Sequence, residues 1–233
     1  QALGLARRSG GQAAPESVLL STDYVPESIV ADIEHAWGCR VYQHYGMTEM
    51  GYGGGVECDA HDGYHLREAD LFVEIVDPAT GRPLPDGVSG EVVVTTLTRR
   101  AMPLIRYRTG DMARFLPEYC PCGSTLRRLS KVQGRLANGA TLGPLTRLHM
   151  AALDEAIFAI PEILNFQAAL IPVDGFSRLS LTVHFDPCRF PDTLADVREA
   201  LARVQAVRDA VASGLLDIMP ILVSPENWFT TGA

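Results

Sequence analysis

Apolar positions near the start of the chain follow two different periodicities. Val18 to Leu20 is a short apolar run typical of a buried strand, and Pro26 to Trp37 carries apolar residues at helical spacing. Pro26 favours the beginning of that helix, and Gly38 favours its end. A second strand begins in Cys39 to Tyr42 and leads into Tyr45. We therefore predict a strand–helix–strand unit of the α/β type.

Beyond residue 70 the pattern changes to the alternation of strands. Phe72 to Val76 and Glu91 to Thr96 are rich in β-branched residues. Residues that favour turns separate the two runs, at Asp77 to Gly81 and Pro85 to Gly87. This pattern predicts a twisted antiparallel sheet or a small β-barrel.

The last 90 or so residues have a third pattern of apolar positions. In chain order we predict an amphipathic helix, two strands, a second helix and a final strand. Their ranges are Leu148 to Ile160, Phe166 to Ile171, Leu179 to Phe185, Leu194 to about Val211, and Leu216 to Val223. This α-β-β-α-β order indicates a ferredoxin-like α+β domain.

The strand pattern and the α-β-β-α-β pattern meet near Gln133 to Asn138, where a Gly-rich patch from Asn138 to Pro144 follows Gly134-Arg135. We place a domain boundary there, which divides the chain into residues 1–133 and 134–233. The predicted fold class is therefore α/β in the first domain and α+β in the second.

Composition narrows the class of partner. The chain has 233 residues, of which 47% are hydrophobic, so it can bury a large core. Its net charge of -8 and pI near 5.2 argue against a nucleic-acid groove, which needs clustered Lys and Arg. We expect a small-molecule partner; whether the chain forms a homodimer stays open.

The sequence also gives an expectation for the location of the protein in the cell. The apolar run from Leu215 to Val223 is interrupted by Asp217 and Pro220, and it is shorter than the ~20 residues of a membrane-spanning helix. Gln1 to Gly11 lacks the apolar core of a secretory signal. We expect a cytoplasmic protein without a membrane segment. Because the chain begins without Met and ends at Ala233, we also expect it to be cut at both ends.

Two short segments carry the most specific chemistry. They are Tyr45-Gly46-Met47-Thr48-Glu49 and Tyr107-Arg108-Thr109-Gly110-Asp111, with Gly90-Glu91 and Gly134-Arg135 in order around the second. Either segment alone also fits a strand end, a helix cap or a turn. In this order, and with the run from Met102 to Asp111, they resemble the phenylacetate-CoA ligase branch of the adenylate-forming, AMP-binding enzymes.

The resemblance implies a fold and a reaction. It implies the end of the large N-terminal AMP-binding domain, with an α/β unit and a small β-barrel, followed by the small C-terminal domain. Such enzymes join a carboxylic acid to the α-phosphate of ATP, release pyrophosphate and transfer the acyl group to coenzyme A. Since two anions meet in the first step, Mg²⁺ and directed donors are needed to offset their repulsion. The expected substrate is an aryl acid.

The resemblance also assigns roles to residues. It places Tyr45 against the adenine ring, the Thr48 hydroxyl near the α-phosphate and the Glu49 carboxylate at Mg²⁺, so that Thr48 and Glu49 are the expected catalytic residues. Asp111 would accept hydrogen bonds from both ribose hydroxyls, and Arg135 would lie near the nucleotide at the hinge. The full nucleotide-binding set is Tyr45, Gly46, Thr48, Glu49, Tyr107, Asp111 and Arg135.

Glycines at 51 and 53–55 do not form a dinucleotide-binding loop. Their spacing is not G-x-G-x-x-G and no helical pattern follows, so we reject a Rossmann interpretation. By resemblance this loop lies beside the acyl pocket, where Tyr52 would form a wall; a solvent-exposed turn residue is the equally weighted alternative.

Cysteine and histidine positions suggest a structural zinc site. Cys120 and Cys122 can direct two thiolates at one ion, and Cys58 with His65 can complete a tetrahedron, with His61 as the second choice of histidine. Four protein ligands leave no position for substrate, so the role would be structural. The alternative is a loop of free thiols.

The other two cysteines, Cys39 and Cys188, have no evident partner, and we expect them to pack as small apolar residues.

The sequence departs from the family in several places. Complete relatives carry a Lys-containing phosphate loop upstream of the segment that matches Val18, and a catalytic Lys in the small C-terminal domain; we expect both to lie outside these 233 residues. Ala137 and Asn138 stand where relatives have a charged hinge residue. Lys131 is the single lysine, and we expect it to be a solvated surface residue.

The leading hypothesis is the C-terminal half of an AMP-forming acid-CoA ligase that uses ATP, Mg²⁺, coenzyme A and a small carboxylic acid. One alternative is a ligase with the same first step and another acyl acceptor. The others are a zinc-stabilised nucleotide-binding module without turnover and an inactive fragment.

Overall fold

The computed structural model describes residues 15–21, 24–51, 53–132, 134–136, 139–142, 146–188 and 190–224. These residues form two compact units. The first unit contains the described residues of 13–25 and 37–137, and the second contains those of 26–36 and 138–233. A domain boundary at 133/134 stays a prediction, as do the hinge positions Ala137 and Asn138, which lie outside the described residues.

The predicted strand, helix and strand are present in that order along the chain, although most of the helix belongs to the second compact unit. Strands β1 (Ser17–Leu20) and β2 (Arg40–Tyr45) are parallel, with Ser17 opposite Arg40, and helix α1 (Glu27–Trp37) connects them along the chain. Gly38 has φ 62° directly after the helix, a left-handed conformation that favours glycine. The sequence pattern therefore located both strands and the helix.

A six-stranded sheet contains β1 and β2 together with four short strands. These are β3 (Gly55–Val56), β4 (Tyr64–Leu66), β8 (Phe115–Leu116) and β9 (Arg128–Leu129). The strand order is β1-β2-β3-β4-β9-β8, and every pair after β1 and β2 is antiparallel. The sheet places residues from distant parts of the chain next to the end of β2.

The region with alternating residues forms a three-stranded antiparallel sheet. Its strands are β5 (Leu71–Val76), β6 (Gly90–Thr96) and β7 (Tyr107–Ala113), in that order across the sheet. A Cβ atom on Gly90 would lie 2.5 Å from the Val76 carbonyl oxygen, so only glycine allows this close approach of β5 and β6. The second motif, Tyr107 to Asp111, lies on β7.

The six-stranded and three-stranded sheets of the first unit share one hydrophobic core. The core includes buried apolar side chains of β4, β5, β6 and β9, and the 3₁₀ helix at Thr48–Met50 adds Met50. Its fully buried members include Leu66, Ile75, Val92 and Leu129. Burial of this apolar surface supplies the main favourable free energy of the unit.

The second unit is of the predicted α+β type. Besides α1, its elements are β10 (Ala140–Thr141), β11 (Arg147–Leu148), α2 (Met150–Phe158), β12 (Asn165–Val173), β13 (Phe176–His184), α3 (Thr193–Arg203), α4 (Gln205–Ala212), β14 (Leu216–Ile218) and β15 (Leu222–Ser224). The main sheet has the order β12-β13-β14, with β15 also paired to β13.

Two predicted elements of this unit are each divided in the structure. The predicted helix from Leu194 to Val211 is two helices, because Val204 has extended backbone at ψ 112°. The break allows Val204 and Val207 to be buried in the same core as Leu201. The predicted strand from Leu216 to Val223 is two short strands separated by Pro220, which cannot donate a ladder hydrogen bond.

Among the helices of the described residues, none combines the length and the apolar character needed to cross a bilayer.

A core substitution tests the packing of the second unit. Leu181 on β13 is 0% exposed, so Leu181→Ala should lower the free energy of unfolding by about 2–5 kcal/mol, through lost burial and a residual cavity. Leu222→Ala is the matched control, because Leu222 is 58% exposed and should cost less than about 1 kcal/mol. Urea unfolding measures both; equal losses would show that Leu181 is not in the core.

Candidate functional site

The two sequence motifs meet at a buried hydrogen bond. Tyr45, at the end of β2, donates its hydroxyl hydrogen to Oδ2 of Asp111 on β7 at 2.9 Å, although the residues are 66 positions apart. Both side chains are buried, with Tyr45 8% and Asp111 4% exposed. The structure thus brings together the predicted base-side and sugar-side residues.

Arg135 binds the other oxygen of the same carboxylate. Its Nε lies 2.9 Å from Asp111 Oδ1, and the backbones of the two residues pair as an isolated antiparallel bridge. Two backbone hydrogen bonds flank this bridge: Met112 donates to the Gly134 carbonyl at 2.9 Å, and Leu136 donates to the Gly110 carbonyl at 2.7 Å. A carboxylate offers about four acceptor positions, so Asp111 keeps capacity for further donors.

The environment of Tyr45 favours its neutral form. Burial is the main cause, and the charge of Asp111 the second, of a pKa for Tyr45 well above its ordinary value. Its ring also stacks with Tyr64, with ring centroids 6.0 Å apart. The structure therefore shows Tyr45 as a donor to Asp111, while its stacking on adenine stays a prediction.

A second contact joins the same two motifs. The Tyr107 hydroxyl donates to Oε1 of Glu49 at 3.3 Å, and the negative charge of Glu49 raises the pKa of Tyr107. Thr48 and Glu49 lie in the 3₁₀ helix Thr48–Met50, and the Thr48 carbonyl accepts from Arg99 at 3.5 Å. Thr48 is exposed and Glu49 is half-buried, so both are accessible to a ligand.

Gly46 is required by close packing. A Cβ atom at this position would lie 2.8 Å from both the Gly53 Cα and the His44 Cε1. One at Gly54 would lie 2.6 Å from the Met50 sulfur. The glycine-rich loop thus packs tightly against the first motif and continues into strand β3 rather than a helix, in agreement with the rejection of a dinucleotide loop; Tyr52 lies outside the described residues.

The predicted metal ligands form a cluster. One ligand atom from each of Cys58, His65, Cys120 and Cys122 lies within 4.8 Å of the others. The Cys58 and Cys120 sulfurs are 3.5 Å apart, and the Cys122 sulfur is 3.4 Å from His65 Nε2. Ligands around a tetrahedral zinc ion are separated by about 3.5–3.8 Å, given ordinary Zn–S and Zn–N distances. The cluster therefore has the size of a zinc site.

Adjacent strands bring these ligands together. His65 lies on β4, Cys58 follows β3, and Cys120 and Cys122 lie in the loop between β8 and β9. A hydrogen bond from the Cys122 backbone N–H is the main reason that the pKa of Cys120 falls to about 6, whereas burial raises the pKa of Cys58 to about 11. One thiol of the pair is therefore readily ionised, as metal binding requires.

Arg128 on β9 connects the same two segments. Its side chain is 3% exposed and donates to the carbonyl and carboxylate oxygens of Asp62, at 2.8 and 2.6 Å, and to the Glu118 carbonyl at 2.8 Å. Asp62 lies between Cys58 and His65, and Glu118 precedes Cys120. The buried position of Arg128 was not predicted from the sequence. The one sign of it there is a charged residue next to an apolar position of a strand.

His61, the second choice of ligand, lies elsewhere. Its φ is 49°, its ring stacks on Tyr42 with centroids 5.6 Å apart, and its Nδ1 is 3.6 Å from the buried Glu57 carboxylate. Lys131 contacts the other oxygen of Glu57 at 3.4 Å and is only 23% exposed. The expectation of a solvated surface lysine was therefore wrong, because the lysine neutralises a buried carboxylate.

The two remaining cysteines differ from each other. Cys39 is buried, as expected for a small apolar residue, whereas Cys188 is exposed. The expectation for Cys188 was wrong because it lies in the exposed segment after β13.

Comparison with known proteins finds that this chain is similar to AMP-binding enzymes. The family profile described as AMP-binding enzyme matches residues 8–98. Phenylacetate-coenzyme A ligase of Thermus thermophilus is 31% identical over 210 residues, and that of Aromatoleum evansii is 35% identical over 185 residues. The alignments cover 87% and 76% of this chain but 47% and 40% of those proteins. The chain thus spans less than half the length of these curated relatives.

Solved structures show the same fold. The structure of 2-hydroxyisobutyryl-CoA ligase in the postadenylation state superposes with a TM-score of 0.79 at 24% identity, and covers 97% of this chain and 50% of that one. An anthranilate CoA ligase in complex with anthranoyl-AMP superposes with a TM-score of 0.65 at 12% identity, over 91% of this chain and 41% of that one. At these identities the likeness confirms the predicted fold class.

The buried hydroxyl of Tyr45 predicts a pH dependence. Because the folded-state pKa of Tyr45 is raised, its stabilising contribution is complete below the unfolded pKa of about 10 and decreases as the pH rises above it. Tyr45→Phe should lower the free energy of unfolding by about 1–3 kcal/mol at pH 7, by leaving a buried carboxylate oxygen without this donor.

The difference between wild type and Tyr45→Phe should then shrink above about pH 10. Urea unfolding at pH 7, 9 and 10.5 measures it. Tyr119→Phe, at a side chain that is 91% exposed, is the control and should match the wild type throughout. A difference that is independent of pH would contradict the prediction.

Proposed function

Because the chain is a relative of the phenylacetate-CoA ligases among the AMP-binding, adenylate-forming enzymes, we propose that it provides the nucleotide-binding part of an AMP-forming acid-CoA ligase. The activity would activate a carboxylic acid as an acyl-adenylate and transfer the acyl group to coenzyme A. The names of the curated relatives support an aryl acid as the substrate class.

The contact of Asp111 with Tyr45 and Arg135 is the observation that carries this proposal. It holds a carboxylate with unused acceptor positions between the two motifs. Ribose hydroxyls are donors that such a carboxylate accepts with charge-assisted hydrogen bonds. We propose that Asp111 binds the ribose, with Tyr45, Gly46, Tyr107 and Arg135 around the nucleoside.

Thr48 and Glu49 are the proposed catalytic residues. Glu49 is half-buried beside Tyr107, and its carboxylate is the type of oxygen ligand that Mg²⁺ prefers. Bound there, Mg²⁺ would offset the repulsion between the acid and the triphosphate. The exposed Thr48 hydroxyl would donate to the α-phosphate, where negative charge develops in the reaction.

One observation favours a second function, a nucleotide-binding module without turnover. Lys131, the single lysine of these 233 residues, is paired with the buried Glu57, and this pairing opposes its use as a catalytic lysine. The chain would then bind AMP but form no adenylate. A ligase with another acyl acceptor shares the first step and differs only in the second.

We propose that Cys58, His65, Cys120 and Cys122 bind a structural zinc ion. Three thiolates and one Zn²⁺ carry a net charge of about -1, and the buried guanidinium of Arg128 lies in a position to offset it, since it contacts both ligand-bearing segments. A cytoplasmic location would fit this site, because reducing conditions keep thiols available for metal.

Nucleotide binding gives the direct test. Asp111→Asn should weaken AMP binding by about 10–100-fold, because it removes the charge from two hydrogen bonds to ribose. Isothermal titration of AMP into the chain measures the effect. Asp217→Asn, at an exposed aspartate of the second unit, is the control and should bind like the wild type. Equal affinity of Asp111→Asn and wild type would remove the ribose assignment.

Turnover separates the candidate functions. ATP–pyrophosphate exchange is measured with a panel of aromatic and aliphatic acids, and coenzyme A is then added to detect thioester. Pyrophosphate exchange that depends on an acid and is lost in Glu49→Gln supports the acid-CoA ligase. AMP binding without exchange supports the nucleotide-binding module without turnover. Exchange without thioester formation supports a ligase with another acyl acceptor.

Metal content tests the zinc proposal. The protein should contain about one Zn²⁺ per chain, and Cys122→Ser should lose it, because four protein ligands are needed for a closed structural site. Cys188→Ser is the matched control at an exposed cysteine outside the cluster, and should keep it. Elemental analysis gives the content. Chelation should lower the melting temperature of the wild type and of Cys188→Ser; equal zinc in both variants would disprove the site.

A further inference from the structure

The register of the three-stranded sheet changes beside Asp111. Glu91 on β6 is opposite Met112 on β7, whereas Val93 is opposite Arg108. Between these pairs β6 has one residue, Val92, and β7 has three, so β7 forms a bulge at residues 109–111. Gly110 adopts φ 76° within it. The proposed ribose-binding residue is therefore presented by an irregular backbone.

Side chains replace the ladder hydrogen bonds that the bulge disrupts. Glu91 Oε1 accepts the Gly110 N–H at 3.1 Å. The Thr109 hydroxyl donates to the Val92 carbonyl at 2.8 Å and accepts the Asp111 N–H at 3.0 Å. The peptide groups on both sides of Gly110 are therefore fixed by neighbouring side chains.

Glu91 is itself a buried carboxylate, and among the described residues Arg108 is its one charged partner. Its side chain is 4% exposed, and its Oε2 accepts from Nε of Arg108 at 2.7 Å and also from the guanidinium Nη2. Arg108 in turn donates to the Pro78 carbonyl at 2.6 Å. Because a buried charge is costly unless it is paired and hydrogen-bonded, Glu91 has little freedom to move.

We infer that Glu91 is a positioning residue for the nucleotide. It accepts the backbone N–H of Gly110, the residue directly before Asp111, and so directs the Asp111 carboxylate to Tyr45, Arg135 and the ribose. Glu91 does not touch the nucleotide itself. The inference rests on the proposed function and assigns a role to a residue that the motif comparison left without one.

A merely structural ion pair is the alternative. In that case Glu91→Gln would lower stability and leave the recognition of ribose hydroxyls unchanged. A suitable readout is therefore the ratio of the dissociation constants of 2′,3′-dideoxy-AMP and AMP, because it isolates the hydroxyl contacts and cancels the rest of the nucleotide.

The experiment compares wild type, Glu91→Gln, Asp111→Asn and the double variant by titration with both nucleotides. We expect a ratio of about 10 or more for wild type, and a fall to about 3 or less for Glu91→Gln. The double variant should have the same ratio as Asp111→Asn, since Glu91 acts through Asp111. Glu74→Gln is the matched control: Glu74 on β5 pairs with Arg106 at 3.0 Å, and its loss should leave the ratio unchanged.

Each outcome decides one point. If Glu91→Gln keeps the wild-type ratio, or if the double variant falls well below Asp111→Asn, the positioning role is wrong. If wild type itself does not distinguish the two nucleotides, the proposed ribose site is wrong, and the positioning role of Glu91 is then wrong as well. If Glu91→Gln does not fold, Arg108→Gln replaces it, because Arg108 is 49% exposed; an unchanged ratio there would also overturn the role.

Discussion

The buried carboxylate of Asp111 is the interaction on which the first unit depends most. A charge removed from water is tolerated only where hydrogen bonds compensate it, and here Tyr45 and Arg135 each supply one. Those three residues come from the end of β2, from β7 and from the segment after β9. One carboxylate thus fixes the mutual geometry of three distant parts of the chain.

The same principle recurs around it. Glu57, Glu91 and Arg128 are also buried charges. Glu57 and Arg128 each bind groups from two segments, and Glu91 on β6 binds Arg108 and Gly110 of β7. Apolar side chains pack without a required direction, whereas a buried charge is stable only with its partners at defined positions. The hydrophobic core of the unit therefore supplies stability, and the buried charges determine which arrangement of loops surrounds the candidate sites.

Much of the fold could be predicted from periodicity. The pattern located β1, α1, β5, β6 and the α+β order of the second unit, because each is a local property of the sequence. Strand β7 was not predicted, since Thr109-Gly110-Asp111 reads as a turn and forms a strand bulge only when paired with β6. The break at Val204 is likewise set by burial in the core and not by local propensity.

The candidate sites divide in the same way. Residue types and spacing were enough to select the metal cluster, because sulfur and imidazole ligands are chemically distinctive. The partners of Glu57, Glu91 and Arg128 could not be read from the sequence, because pairing between residues that lie up to 74 positions apart, as Glu57 and Lys131 do, follows from sheet register.

The position of Arg135 has a consequence for synthesis on the ribosome. Tyr45 and Asp111 emerge first, and the carboxylate receives its cationic partner only after the chain has been extended through Arg135. At a translation rate of ~5–20 residues per second, the end of β2 waits roughly 5–20 seconds for the last of these partners. During that interval its polar groups are still hydrated, so this part of the nascent polypeptide completes its buried hydrogen bonds only after Arg135 has been synthesised.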